Sequence, residues 1–229
     1  MCIRDRFNDR NFSLAGATIS TVGFAISTYI IPWMIYVQTV QGFTPTQAAL
    51  LVLPSGVVSG LLSPWIGKLT NTHDPKPFAI AGLTLAAVSM GISALITTPA
   101  VDPRWMYAVA VVYGVANSMM WGPLSMIATR NLDPRLAGAG SSVYNTTRQI
   151  GAVIGSAAIA AMMSSQLAAK LGDGAGDMAT TGQTTGPLPE PLHEPFALAM
   201  GTSIWLPCAV IAAGAVAACF FARTKSWND

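Results

Sequence analysis

Apolar residues in this chain come in long unbroken runs, neither alternating with polar residues nor confined to narrow stripes. No Asp, Glu, Lys or Arg occurs in 11–67, 77–101, 105–129, 149–169 or 195–222. A helix crosses a bilayer core with roughly 20 apolar residues. The first run is long enough for two such helices, and its middle, Gln41-Gly42-Phe43-Thr44-Pro45, has the glycine and proline of a turn. Each other run holds one. The pattern therefore predicts six spans, at 12–40, 47–67, 78–97, 105–128, 137–167 and 196–222. Helices are expected because strands of a membrane barrel alternate apolar and polar positions, and these runs do not. The competing architecture is a large soluble helical protein with buried helices, and the charge-free lengths count against it.

Composition strengthens the membrane reading. Charged residues are 10% of the 229 and hydrophobic residues 52%, with a mean hydropathy of +0.50. A soluble domain carries about 25% charge. Orientation follows from Lys and Arg in short loops. Arg4, Arg6 and Arg10 precede the first span. Lys68 and Lys76 lie between the second and third, Arg130 and Arg135 between the fourth and fifth, and Arg223 and Lys225 after the sixth. All fall on one side, expected to be the cytoplasm, while the other side holds only Arg104 and Lys170. The predicted organisation is a cytoplasmic N-terminal end (1–11), a six-helix bundle (12–222), a long extracytoplasmic loop within it (168–195) and a cytoplasmic tail (223–229).

The net charge of +2 is topological, so no nucleic-acid partner is inferred. The first apolar run is too long for a cleaved signal peptide and lacks a cleavage-like end. The opening Met-Cys-Ile-Arg-Asp-Arg (1–6) reads as a non-native start ahead of Phe7, so the natural protein is expected to begin upstream. Cys2 is placed in the cytoplasm and Cys208 and Cys219 on one span, so no intramolecular disulfide is expected. The 168–195 loop, rich in Gly, Thr and Pro, reads as irregular and solvated.

Asp133-Pro134 has the form of a helix start, an N-cap followed by proline at the first helical position. A fifth helix from there to 167 would be about 50 Å long, so its first turns are expected in the cytoplasmic interface. Gly56-x-x-x-Gly60 in the second span and Gly151-x-x-x-Gly155 in the fifth are candidate helix-packing glycines, since small residues four apart let helices approach closely in lipid. Their recurrence fits two three-helix repeats, a 3+3 arrangement common in transporters.

Candidate chemistry is sparse. All ten acidic residues lie outside the spans, and His73 and His193 are in loops, so the chain shows no proton carrier of the usual buried kind. Arg148 is the single charge within a span. It is expected near the cytoplasmic end of the fifth helix, with Ser141 and Asn145 on its face. Either it faces the bundle interior and pairs with groups outside this chain, or it snorkels to headgroups. Asn145, Arg148 and Gln149 are the gating or interdomain candidates. Tyr29, Trp33 and Tyr36 recur at helical spacing in the first span, as do Tyr113, Asn117, Met120 and Trp121 in the fourth. These are the substrate-cavity candidates, weighed against an interfacial aromatic belt for Trp33 and Tyr36. Pro32, Pro54, Pro64, Pro123 and Pro207 are candidate kinks. No catalytic set, Cys/His metal spacing or phosphate loop is evident; no enzyme and no metal site are expected.

Four stretches carry a resemblance to the major facilitator superfamily, and within it to the fourteen-span drug:proton antiporter family. They are Gln38, Gly42, Pro45, Ala48 and Pro54; Gly67-Lys68-Leu69; Gly114 with Pro123-Leu124; and Gly138-x-Gly140-Ser141 followed by Asn145-Thr146-Thr147-Arg148-Gln149-Ile150-Gly151 and Gly155. The resemblance implies an all-α membrane protein whose six-transmembrane-helix bundle is the C-terminal half of a major facilitator fold, spans nine to fourteen. It departs from the family at the cytoplasmic loop motif Gly-x-Leu-x-Asp-Arg-x-Gly, where Asn71, Thr72 and Asp74 replace the Asp, Arg and Gly. Ala116 and Ser118 stand where the family often has glycine. The resemblance further implies a bacterial inner-membrane multidrug exporter of amphipathic or cationic small-molecule drugs. It implies no cofactor, with the proton gradient as energy source, and a missing N-terminal bundle and membrane lipids as partners. The alternatives are a six-span protein that oligomerises into a channel, and a membrane enzyme or assembly factor.

Overall fold

The computed structural model describes residues 10–129, 137–172 and 188–221. It contains α1 (Arg10–Thr39), α2 (Pro45–Thr72), α3 (Pro75–Ile96), α4 (Trp105–Thr129), α5 (Ala137–Leu171), a 3-10 turn (Glu190–Leu192) and α6 (His193–Cys219). No strand occurs among the described residues. Five of the six helices are long and apolar enough to cross a membrane. The exception is α4, whose hydropathy is lowered by Tyr113, Asn117, Ser118 and Trp121; at 25 uncharged residues it is still about 37 Å long. The Asp133-Pro134 start, residues 1–9, most of the long loop and the 222–229 tail lie outside the described residues.

Local chemistry sets the helix starts. Thr44 caps α2 with a reciprocal bond pair, its hydroxyl accepting from Gln47 N–H while its own N–H donates to Gln47 Oε1. The chain enters this cap through Gly42 at φ +69°, a left-handed conformation that favours glycine. Asp74 accepts from Lys76 N–H at the start of α3, where Pro75 opens the helix. Several expected boundaries shift: α2 continues through Thr72, leaving only His73 and Asp74 before α3, α5 runs on to Leu171, and α6 begins at His193 and ends at Cys219. Thr70 and Thr72 return their hydroxyls to carbonyls of the preceding turn, so polar side chains at this end do not interrupt the helix.

In the bundle α1 packs on α5 and α6, α4 packs on α2 and α3, and α3 closes against α6. Close approach at these crossings depends on missing side chains. A Cβ at Gly151 would collide with the Ser20 carbonyl oxygen, and one at Gly23 with that of Arg148, so α5 and α1 touch backbone to backbone. At Gly82 it would lie 2.9 Å from the Met119 carbonyl carbon of α4. Gly155 is likewise seated on Phe24 and Thr28 of α1. Without a hydrophobic drive between helices in lipid, such contacts are a main source of association. Gly56 and Gly60 differ from the packing role expected of them. Nothing lies within 4 Å of a Cβ at either, because α2 meets α4 through Ser55 and Val58 on another face.

Two apolar cores result. One gathers Ile19, Leu83, Met90, Met120, Leu124 and Ile211; the other gathers Trp33, Tyr36, Leu51, Met106, Ile159, Phe196 and Ile204. Apolar faces remain bare among the described residues, on α3 at Val88, Ile92 and Leu95 and most extensively on α2 and α5. On α2, Leu50, Leu53, Val57, Leu61 and Trp65 are exposed, Trp65 by 76%. On α5, Ile150, Val153 and Ile154 are exposed, Val153 by 71%. At the end of α6, Lys76 Nζ donates to the Phe221 carbonyl at 2.7 Å, placing a cation where helix carbonyls lack partners.

Candidate functional site: an aromatic cavity between α1, α2 and α4

A cavity of about 360 Å³ opens between α1, α2 and α4. From α1 it takes Ile26, Tyr29, Ile30 and Trp33, and from α4 Met106, Val109, Ala110, Tyr113, Asn117 and Trp121. These spacings of three and four put each set on one helical stripe. α2 adds Leu51, Val52 and Ser55, held in place where Ser55 crosses Gly114 of α4. The rings form a connected wall. Tyr29 lies 6.5 Å from Trp33 and 5.9 Å from Tyr113, centroid to centroid, within the range of favourable aromatic pairs.

Few polar atoms face the space, and most are already engaged. Tyr29 Oη shares a hydrogen bond with Ser93 Oγ of α3 at 3.0 Å. Ser55 Oγ donates to the Val52 carbonyl at 2.7 Å. Trp121 Nε1 donates to Asn117 Oδ1, which leaves the Asn117 amide NH₂ unengaged among the described residues. Tyr113 Oη makes no hydrogen bond to a described residue. No charged residue lines the cavity.

A charge reaches one of the cavity's lining residues: the Arg148 guanidinium carbon sits 5.7 Å from the centre of the Trp121 ring. Its level in the bundle differs from the expected cytoplasmic end. The adjoining turn of α5 lies against Ser20 and Gly23, in the middle third of α1. The head rests on Trp121 of α4, and the residue is half-buried. At hydrocarbon depth an unpaired guanidinium costs about 3 kcal/mol or more. Among the described residues the acids are Asp74, Asp102, Glu190 and Glu194, all at helix ends or in a loop, and none pairs with it.

Of the cavity candidates, Tyr29, Trp33, Tyr113, Asn117 and Trp121 line the space. Tyr36 and Met120 do not. Tyr36 is fully buried and donates to the Thr98 carbonyl at 2.8 Å while accepting from Gln41 Nε2 at 2.7 Å, which ties the end of α1 to the α3–α4 loop. Met120 is a core residue. Asn145 and Gln149 are exposed on α5, while Arg148 is half-buried. The contribution of α2 was not foreseen. Leu51, Val52 and Ser55 are unremarkable in a membrane helix, and only the α2–α4 crossing brings them to the cavity. Among the described residues no cluster of His, Cys, Asp or Glu could hold a metal ion.

Six long helices with a ligand-sized, uncharged cleft define a multi-pass membrane protein built as an all-α transporter-type bundle. The chain belongs to the Major Facilitator Superfamily, whose family model matches residues 2–156, from before α1 to the first half of α5. It is 40% identical over 155 residues to the uncharacterized MFS-type transporter Rv1250 of Mycobacterium tuberculosis, a match covering 67% of this chain and 27% of that protein. It is 29% identical over 156 residues to the multidrug resistance protein Stp of the same species, covering 67% and 28%. It is 28% identical over 151 residues to the multidrug export protein EmrB of Escherichia coli, covering 66% and 30%. The matched part thus amounts to less than a third of the length of each of these relatives.

Proposed function

We propose that the chain is the C-terminal bundle of a proton-coupled multidrug exporter. It sits in the bacterial inner membrane with both ends in the cytoplasm and moves amphipathic or cationic small molecules. The observation that carries this reading is the uncharged aromatic cavity of α1, α2 and α4, flanked by the bare apolar faces of α2 and α5. A second bundle seated on those faces would complete the cleft, and Asn145, Arg148 and Gln149 of α5 would meet it. The likeness to the multidrug resistance protein Stp and the multidrug export protein EmrB supports drugs as cargo. The matching roles of α1 against α5 and α6, and of α4 against α2 and α3, support two repeated triplets rocking about a central site. The acids that couple protons belong to the remainder of the transporter, since those described here sit at helix ends.

The test is drug resistance and proton-driven efflux conferred by the complete gene, with this chain expressed alone as the control. Resistance from the complete gene and none from the chain alone is the expected result. Transport by the chain alone in liposomes would instead favour an oligomeric channel. Cysteine accessibility that placed Lys68 and Arg130 on opposite faces of the membrane would overturn the proposed orientation.

A further inference from the structure

We infer that the Arg148–Trp121–Asn117 end of the aromatic cavity is a subsite for a hydrogen-bond acceptor, so that the cargo part held by this bundle is anionic or neutral with a carbonyl- or sulfonyl-like oxygen, and not a cation. The inference rests on the exporter reading above and narrows its cargo.

Three observations combine. Two groups in the cavity have no hydrogen bond to a described residue: the Asn117 NH₂, an obligate donor whose Oδ1 already accepts from Trp121 Nε1, and the Tyr113 hydroxyl, which can donate or accept. Ser55 Oγ has donated its proton to the Val52 carbonyl and Tyr29 Oη shares one bond with Ser93 Oγ; both oxygens keep lone pairs, so the preference for an acceptor rests on the Asn117 NH₂ and the Arg148 charge. The charge on the Trp121 ring is positive, the Arg148 guanidinium 5.7 Å from the ring centre, and no ion pair with a carboxylate is formed by it among the described residues. The same contact weakens the case for a bound cation. An aromatic face already carrying a guanidinium offers less to a second positive charge, and two cations at this separation in a low-dielectric site repel. An acceptor oxygen placed against Asn117 would meet both a free donor and the field of Arg148. The apolar body of the ligand would lie along Tyr29, Trp33 and Tyr113, in a volume of about 360 Å³ that suits a molecule of two or three fused rings.

The experiment uses the purified complete transporter and three probes of similar size: anilinonaphthalene sulfonate, its uncharged parent phenylnaphthylamine, and ethidium, a cation. Equilibrium binding is measured with protein-free micelles subtracted. The sulfonate is expected to bind about tenfold more tightly than the uncharged parent, the worth of one charge-assisted hydrogen bond, with ethidium weakest. In Arg148→Gln that preference, read as the ratio of sulfonate to phenylnaphthylamine affinity within the variant, should fall to about twofold or less; Arg148→Lys should keep its sign. Asn117→Leu, which keeps the charge, should weaken the sulfonate several-fold more than it weakens the parent, so the inference stays testable if Arg148→Gln does not fold. Equal binding of the three probes, ethidium binding tightest, or an anion preference that survives Arg148→Gln overturns it. Export of these amphiphiles without charge preference would sink this inference and leave the exporter reading standing. A complete transporter that exports none of them would sink the exporter reading, and this one with it.

Discussion

Gly114 is the residue on which the shape of the cavity depends most directly. α2 is held in the bundle almost entirely by α4, and at their crossing a Cβ on residue 114 would sit 2.6 Å from the Ser55 carbonyl oxygen, 2.9 Å from Ser55 Cα and 3.0 Å from Val58 Cβ. Two of these three neighbours are backbone atoms, which no rotamer change can move aside. Gly114→Ala therefore forces α2 outward by roughly 1 Å to restore ordinary contact distances. Overpacking of this kind costs about 1–3 kcal/mol, and alanine's better helix propensity offsets at most about 1 kcal/mol of it. The net destabilisation should be roughly 1–2 kcal/mol, a fall in melting temperature of about 2–8 °C for a domain of this size. Leu51, Val52 and Ser55 would move with α2, so ligand binding in the cavity should weaken as well. The assay is a thermal melt in detergent alongside probe binding, with Gly122→Ala as control, since nothing lies within 4 Å of a Cβ at Gly122 on the same helix. That control should be neutral or slightly stabilising. Equal melts for the two variants, with unchanged probe binding, would refute the claim that the α2–α4 crossing sets the cavity.

Other perturbations test the supports around it. Tyr36→Phe removes the hydroxyl that bridges Gln41 and the Thr98 carbonyl, and should cost about 1–2 kcal/mol, read as a lower melting temperature with cavity binding intact. Lys76→Met deletes the bond to the Phe221 carbonyl; hydrogen exchange at the end of α6 should accelerate while the centre of the helix keeps its protection. Thr44→Ala breaks the capping box of α2 and should cost about 0.5–2 kcal/mol, whereas Thr44→Ser should lose much less. Gly151→Leu drives a side chain into the Ser20 backbone and should prevent α5 from seating on α1, measured as loss of folded protein from the membrane fraction.

What the chain by itself determined was the set of helices. Hydrocarbon tolerates neither bare backbone groups nor loose charges, so the charge-free runs had to be helical, and their ends fell where Lys, Arg, Asp and Pro appear. That reasoning is local and reached α1 to α6 within a few residues, including Gly42 and Pro45 as the turn before α2. Part of the cavity was legible too, because Tyr29 with Trp33, and Tyr113 with Asn117 and Trp121, repeat at the helical period. The rest depended on which helices touch. Periodicity gives a face but not its neighbour, so Tyr36 and Met120 appeared equivalent to Tyr29 and Tyr113 until the bundle buried them. The glycine pairs of α2 and α5 looked alike, yet only Gly151 and Gly155 meet another backbone, since α2 approaches α4 through Ser55. Arg148 could be read either way along its helix; the crossing of α5 with α1 decided its depth, and Trp121 on a third helix decided where its charge rests.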